Sequence, residues 1–361
     1  MQKVVIAMVA RRYRVAQWAT GHSGVKALRG VIEHPLYDLV GVYVYSDEKA
    51  GRDAGDIAGV APTGVIATQS IEDIIAARPD CVLYMPLSDG SKIEEIAQLL
   101  GSGANVITIV TDEYAYRHPA SLGPADRKLL EEACERGQSS LYATGPSPGF
   151  ITEQLPLAFL AMMRRLDSLT IYEFADMRTR NSPEMIDMMF GGDPAAMDLQ
   201  ATADTLRDDF GKPFLQLAEA VGLSIDDFTA TGSVAVATHD EQVAVTTIKA
   251  GTVAAWHFEI TGRRAGRPLM TFHPIWYVSP DLDPPLPVRD SGWRVVIEGD
   301  PPFEVDIHFA QGDAYGPVQP GYNAYILVNA IPNIVEAPPG IRTTVELPPI
   351  IPTFAVATAE S

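Results

Sequence analysis

The chain has 361 residues, 47% of them apolar and 20% charged, which allows a sizeable core in one large domain or two and excludes wholesale disorder. Its 27 basic and 46 acidic residues leave a formal charge of −19, a surface that repels phosphate backbones and anionic lipid, so neither nucleic acid nor a membrane is expected as a partner. Two cysteines, Cys81 and Cys134, form no CxxC pair; a disulfide framework and the usual zinc spacing are absent, and a reducing cytoplasm is the expected compartment.

Residues 1–12 read as a short leader, closed by Arg11-Arg12 well before the roughly 18–20 apolar residues that a membrane span needs. Arg14 to Ala19 reads as a buried strand ended by Thr20-Gly21. A helix follows from Gly24 to His34, with Val25, Leu28, Val31 and Ile32 at helical spacing, and Pro35 stops it. Strands are then expected at Tyr37–Tyr45, Cys81–Met85, Asn105–Val110 and Ser139–Thr144, and helices at Ile71–Ala77, Lys92–Leu100 and Asp126–Arg136. Strands separated by helices predict parallel βαβ units, hence an α/β fold with a doubly wound parallel sheet over residues 13–150.

After Phe150 the rhythm changes. Gln154 to Arg165 reads as one long helix and Ser168 to Phe174 as a strand, followed by helices over Pro183–Phe190, Ala196–Phe210 and Lys212–Val221. From Ser233 to Phe309 the chain alternates with period two. Ala254, Trp256, Phe258 and Ile260 share one face with Trp293, Val295 and Ile297, while His257, Glu259, Arg294 and Glu304 take the other. The expectation is a mainly antiparallel sheet in an α+β domain over 151–320, apolar on one face and open on the other to water or to a twin sheet in a homodimer. A final helix, Tyr322 to Ala337, and a proline-rich tail occupy 321–361.

Ala19-Thr20-Gly21-His22-Ser23-Gly24 is the dinucleotide fingerprint with alanine in the first glycine position, set between a first strand and a first helix. Gly21 would let the backbone approach a pyrophosphate, with the amides of His22, Ser23 and Gly24 aimed at it and Thr20 beside it. After the second strand come Ser46, Asp47, Lys49 and Arg52. Ser46 with the two cations suits the 2′-phosphate of NADP, and Asp47 keeps NAD open. Pro86, Thr111 and Ser147 complete the expected cofactor set.

Gly145-Pro146-Ser147-Pro148-Gly149 matches the GxSxG nucleophile elbow, but Pro148 has no N–H to donate to an oxyanion, so a hydrolase is rejected and the segment reads as a rigid turn. Asp112 and Glu113 follow a strand at its carboxyl end, a position that faces the ligand cleft of this fold, so spacing alone allows either one carboxylate in the cleft or two solvated loop carboxylates. Consecutive residues point different ways, so spacing leaves open which carboxylate enters. The histidines show no metal-ligand spacing and are expected to be structural, with His273 a candidate for a pocket.

Trp18-Ala19-Thr20-Gly21-His22-Ser23-Gly24, the Ser46…Lys49…Asp53-Ala54-Gly55 stretch and Ala143-Thr144-Gly145-Pro146-Ser147-Pro148-Gly149-Phe150 resemble segments of the 2,4-diaminopentanoate dehydrogenases and their relatives, the native NAD(P)H-dependent amine dehydrogenases. So do Glu173-Phe174-Ala175-Asp176-Met177…Ser182…Met185…Met189-Phe190 and Val328-Asn329-Ala330-Ile331-Pro332. The resemblance implies a Rossmann domain like that of dihydrodipicolinate reductase, an α+β domain that dimerises through its sheet, and a final helix returning to the first domain. It implies Glu113 as the catalytic acidic residue and Phe150, Tyr172, Met177 and Asn181 as the substrate pocket. Two departures are visible. The family's paired-glutamate segment reads Asp112-Glu113 here, and the histidine-pair and lysine motif of true dihydrodipicolinate reductases is missing. The expected activity is reductive amination of small ketones or aldehydes with ammonia, reversed as oxidative deamination of amines. A diaminopentanoate dehydrogenase proper, an ammonia-independent carbonyl reductase and a non-catalytic dinucleotide sensor are the alternatives.

Overall fold

The computed structural model describes residues 11–86, 93–109, 122–310 and 319–353; Thr111, Asp112, Glu113 and most of the expected leader lie outside the described residues. The chain divides into two compact units, Met1–Pro146 together with Gln319–Ser361, and Ser147–Val318.

In the first unit β1 (Tyr13–Trp18) leads into α1 (His22–Glu33), β2 (Tyr37–Tyr43), α2 (Ala54–Ala58), α3 (Ile71–Ala76), β3 (Cys81–Tyr84), α4 (Ile93–Gly101), β4 (Asn105–Thr108), α5 (Pro124–Gly137) and β5 (Ser140–Ala143). The second unit holds α6 (Leu155–Leu160), β6 (Arg165–Asp176), α7 (Pro183–Met189), α8 (Leu199–Ala220), β7 (Asp227–Ala237), and the short β8 (Glu241–Gln242) and β9 (Thr247–Ile248). It continues with β10 (Val253–Arg264), β11 (Arg267–Tyr277), β12 (Leu282–Asp283), β13 (Gly292–Asp300) and β14 (Phe303–His308). The chain then re-enters the first unit as α9 (Gln319–Val335) and β15 (Gly340–Arg342).

Among the described residues the first unit's sheet is parallel throughout, in the order β15-β5-β4-β3-β1-β2. One face buries Val15, Leu83 and Ile107 under Ala27 and Val31 of α1 and Leu327, Ile331 and Ile334 of α9. The other buries Ala16, Val82 and Val106 under Ile96, Leu100 and Leu130 of α4 and α5. Strands covered on both faces read as continuous apolar runs, which is why the doubly wound sheet is visible in the sequence. The order reverses at β1, flanked by β2 on one side and β3 on the other, and a ligand crevice opens at such a switch point.

The second unit packs α7 and α8 on one face of a sheet ordered β12-β7-β10-β11-β6-β13-β14, with Phe210 stacked on Phe272 at 4.5 Å. This sheet is mixed, because β11 pairs parallel with β6. The helix expected over Gln154–Arg165 is shorter: Arg164 N donates to Asp300 O at 2.7 Å, and pairing with β13 draws Arg165 into β6. Conversely, α8 runs unbroken where two helices were expected, since burial of Phe210, Phe214 and Leu217 carries it through Gly211 and Pro213. Among the described residues no helix is long and apolar enough to cross a membrane.

Candidate active site

The turn from β1 to α1 lies at the switch point. Ala19 adopts φ +68°, the left-handed region that makes glycine the usual residue there, at a cost of about 1–2 kcal/mol. The fully buried Gln17 holds it: Nε2 donates to Ala19 O at 2.8 Å and to Trp18 O at 3.2 Å. Sequence reading missed Gln17; its signal is an amide inside the otherwise apolar run that precedes the fingerprint.

Gly21 is the N-cap of α1, no side chain caps the helix, and no acidic residue sits in its first turn. A Cβ at Gly21 would meet nothing within 4 Å. A Cβ at Gly24 would lie 2.3 Å from Ala19 O, so this second glycine serves turn packing. Uncapped helix amides behind an open approach form a seat for an anion. Ser23 Oγ accepts from Asn323 Nδ2 of α9 at 3.4 Å, and His22 is exposed.

Lys49 joins this turn. Its Nζ donates to Thr20 O at 2.7 Å and to Thr20 Oγ1 at 3.2 Å, which brings the cation of the β2–α2 segment onto the fingerprint. Ser46 and Arg52 are exposed on the same segment. Asp53 is a fold residue: it accepts from the amides of Gly55, Thr63 and Gly64, and the Thr63 amide foremost holds its carboxyl below the ordinary value. Trp18 stacks on Tyr43 at 3.8 Å and donates from Nε1 to Tyr45 Oη at 3.0 Å, which props the half-exposed Tyr45 ring beside Ser46. Pro86 is buried just past the end of β3. The structure thus gathers Thr20, Gly21 and Lys49, while Thr111 and Glu113 lie outside the described residues.

In the second unit Ser147 Oγ is buried and has no hydrogen-bond partner among the described residues. Gly149 follows at φ +126°, and its N–H donates to Thr152 Oγ1 at 2.9 Å. Phe150 lies 6.4 Å from Trp293, and Met177 is buried in the core. Tyr172 points to the opposite sheet face, stacked on His273 at 4.7 Å, and Asn181 is exposed. Phe150 and Tyr172 therefore do not share one face. His273 also contacts His257, ring nitrogen to ring nitrogen at 3.2 Å, so the two histidines pair across strands although nothing in their sequence spacing shows it.

A family described as the 2,4-diaminopentanoate dehydrogenase C-terminal domain matches residues 209–360. An amine dehydrogenase of Streptomyces virginiae is 31% identical over 354 residues, covering 92% of this chain and 95% of the relative. The chain belongs to the amine dehydrogenase family. Membership makes it an oxidoreductase. The structure of an amine dehydrogenase from Mycobacterium smegmatis superposes with a TM-score of 0.76 at 19% identity, covering 94% of this chain and 97% of that one. GenD2 of gentamicin A biosynthesis, solved in complex with NAD, shares the fold with a TM-score of 0.51 at 14% identity, covering 89% and 86%. What the β1–α1 turn offers is an anion seat at a parallel-sheet switch point, the place where folds of this class bind dinucleotides.

Proposed function

We propose that this chain is an NADP-preferring amine dehydrogenase that aminates small ketones or aldehydes reductively with ammonia. The relative at 31% identity over nearly the whole chain supports the activity, and the open, uncapped turn at Gly21 supports the cofactor site. The first unit holds the dinucleotide, with 321–361 returning to it, and 151–320 holds the substrate and the dimer contact. The amides of His22, Ser23 and Gly24 hold the pyrophosphate, with Thr20 beside them. Ser46, Lys49 and Arg52 surround the 2′-phosphate, and Pro86, Thr111 and Ser147 complete the cofactor-binding set. NADP is preferred because Lys49 brings a fixed cation to Thr20.

The nicotinamide, when bound, supplies a hydride at C4. Glu113 stabilises the iminium formed from ketone and ammonia and moves its protons, and a carboxylate favours that cation over the neutral ketone, so the help falls in the transition state. Phe150, Met177 and Asn181 line the substrate pocket, Tyr172 being left out because it stacks on His273 across the sheet from Phe150, and apolar walls favour loss of water from the carbinolamine. A homodimer forms through the open sheet face carrying His257, His273, Arg294 and Glu304. A cytoplasmic location fits Cys81 and Cys134, which are buried free thiols; burial pushes Cys134 up to about 11.

The test is NADPH consumption with a small ketone, with and without ammonium. Oxidation that depends on ammonium is the expected result. Ammonium-independent oxidation means a carbonyl reductase, and tight NADPH binding without turnover means a sensor.

A further inference from the structure

Glu173 shares its face of β6 with Leu169 and Ile171, which are buried in the second unit's core, but Glu173 itself is only half-buried. Its carboxylate accepts the indole N–H of Trp276 on Oε1 at 3.0 Å and that of Trp293 on Oε2 at 3.0 Å. Register explains the clamp: Trp293 pairs directly with Glu173, and Trp276 pairs with Ala175 two residues along. Both donors are neutral, and among the described residues no cation pairs with this carboxylate. A carboxylate offers about four acceptor sites, so two remain open. Phe150 lies 6.4 Å from Trp293, and Phe309 meets its ring edge-on at 4.6 Å. A half-buried anion with no counter-ion among the described residues is costly alone and suited to an organic cation.

We infer that Glu173, with Trp276 and Trp293, is the seat in this unit for a cationic nitrogen, that of a primary alkylammonium ion. This rests on the amine reading above and deepens it, since it gives the second unit a residue that receives the ammonium form, while Glu113 keeps its role at the iminium. A carbonyl oxygen gains nothing from such a seat; an ammonium group gains a charge-assisted hydrogen bond.

The probe is n-butylammonium chloride, with 1-butanol as its neutral counterpart, titrated against tryptophan emission of the full chain with saturating NADP⁺. The wild type is expected to show a saturable change with butylammonium. Glu173→Gln weakens it by about tenfold or more, the scale of one lost charge-assisted hydrogen bond, and leaves butanol unchanged. Trp276→Phe keeps the charge and must retain the preference for butylammonium, which keeps the test decisive if Glu173→Gln does not fold. No saturable change in the wild type, equal affinity in Glu173→Gln, equal weakening of both probes, or loss of the preference in Trp276→Phe would each overturn the inference. Ammonia-dependent turnover with unaltered butylammonium binding in Glu173→Gln removes the seat and leaves the activity standing. Absence of turnover with butylammonium still held through Glu173 removes the activity and leaves the seat.

Discussion

Two glycines of the fingerprint separate a packing role from a ligand role. At Gly24 an added methyl would sit 2.3 Å from Ala19 O, roughly 1 Å inside ordinary contact, and 3.3 Å from Gln17 Nε2. Neither neighbour can yield cheaply, because Gln17 Nε2 also holds Ala19 O at 2.8 Å. Gly24→Ala is therefore expected to destabilise by about 1–3 kcal/mol, the range for an overpacked interior, and to lower the melting temperature by roughly 2–10 °C. Gly21 has φ −68° and ψ −170°, open to any residue, and empty space where the methyl would go. Gly21→Ala is expected to leave the melting temperature unchanged or raise it slightly, since a stiffer unfolded chain adds up to about 0.4–1 kcal/mol of stability. The same methyl occupies the approach to the helix amides, so NADPH affinity should fall by about 5- to 150-fold, equivalent to about 1–3 kcal/mol of crowding. Energy transfer from tryptophan to bound NADPH measures the affinity, and a thermal melt measures the stability. If Gly21→Ala binds NADPH normally, or melts as early as Gly24→Ala, the turn is not the dinucleotide seat.

Lys49→Ala with Arg52→Ala should weaken NADP by about 1–3 kcal/mol more than NAD; equal losses in paired titrations would show a segment that does not read the 2′-phosphate. Glu113→Gln should leave NADP affinity nearly unchanged while kcat falls about 10²-fold or more, with Asp112→Asn much milder; the reverse order in steady-state rates would move the role to Asp112. Light scattering at micromolar concentration should give a dimer mass, and a monomer would remove the sheet-face interface. Burial holds the folded pKa of His257 and of His273 below the ordinary 6.5, against the opposing pull of Glu259, and His257 lowers His273 further. Their contribution to stability is therefore full above about pH 6.5 and is lost as pH falls through that value towards the lower folded one. Melting temperatures from pH 7.5 to 5.5 should fall less steeply for His273→Gln than for the wild type, with half-buried His34 supplying part of the remaining slope.

The first unit was legible because its signals are local. An apolar strand, a glycine turn and a helix stopped by Pro35 identify β1, the fingerprint and α1 within about 25 residues. The alternation along β14, where Phe303, Val305 and Ile307 are half-buried and Glu304, Asp306 and His308 exposed, was equally direct. What remained hidden depends on register between distant strands. Nothing near Glu173 in the chain announces Trp276 and Trp293, and the His257–His273 contact joins residues of two different strands. The division of α8 failed for the converse reason: Gly211 and Pro213 are local breakers, and burial of Phe210 and Phe214 against the sheet overrode them.

A chain with a formal charge of −19 has to bind a cofactor that is itself an anion, and range decides how. At physiological salt, fields from exposed carboxylates fade over about 8 Å, so most of the protein's negative charge does not reach the turn. The helix amides and Lys49 Nζ, 2.7 Å from Thr20 O, act inside that distance and are screened least. Local geometry therefore wins over net charge. The same reasoning applies with opposite sign at Glu173, where an ammonium ion is drawn by the whole protein from afar and held by one carboxylate at contact. If the turn holds the dinucleotide and Glu173 the ammonium as proposed, an acidic surface costs this protein little at the first and favours the approach of the second.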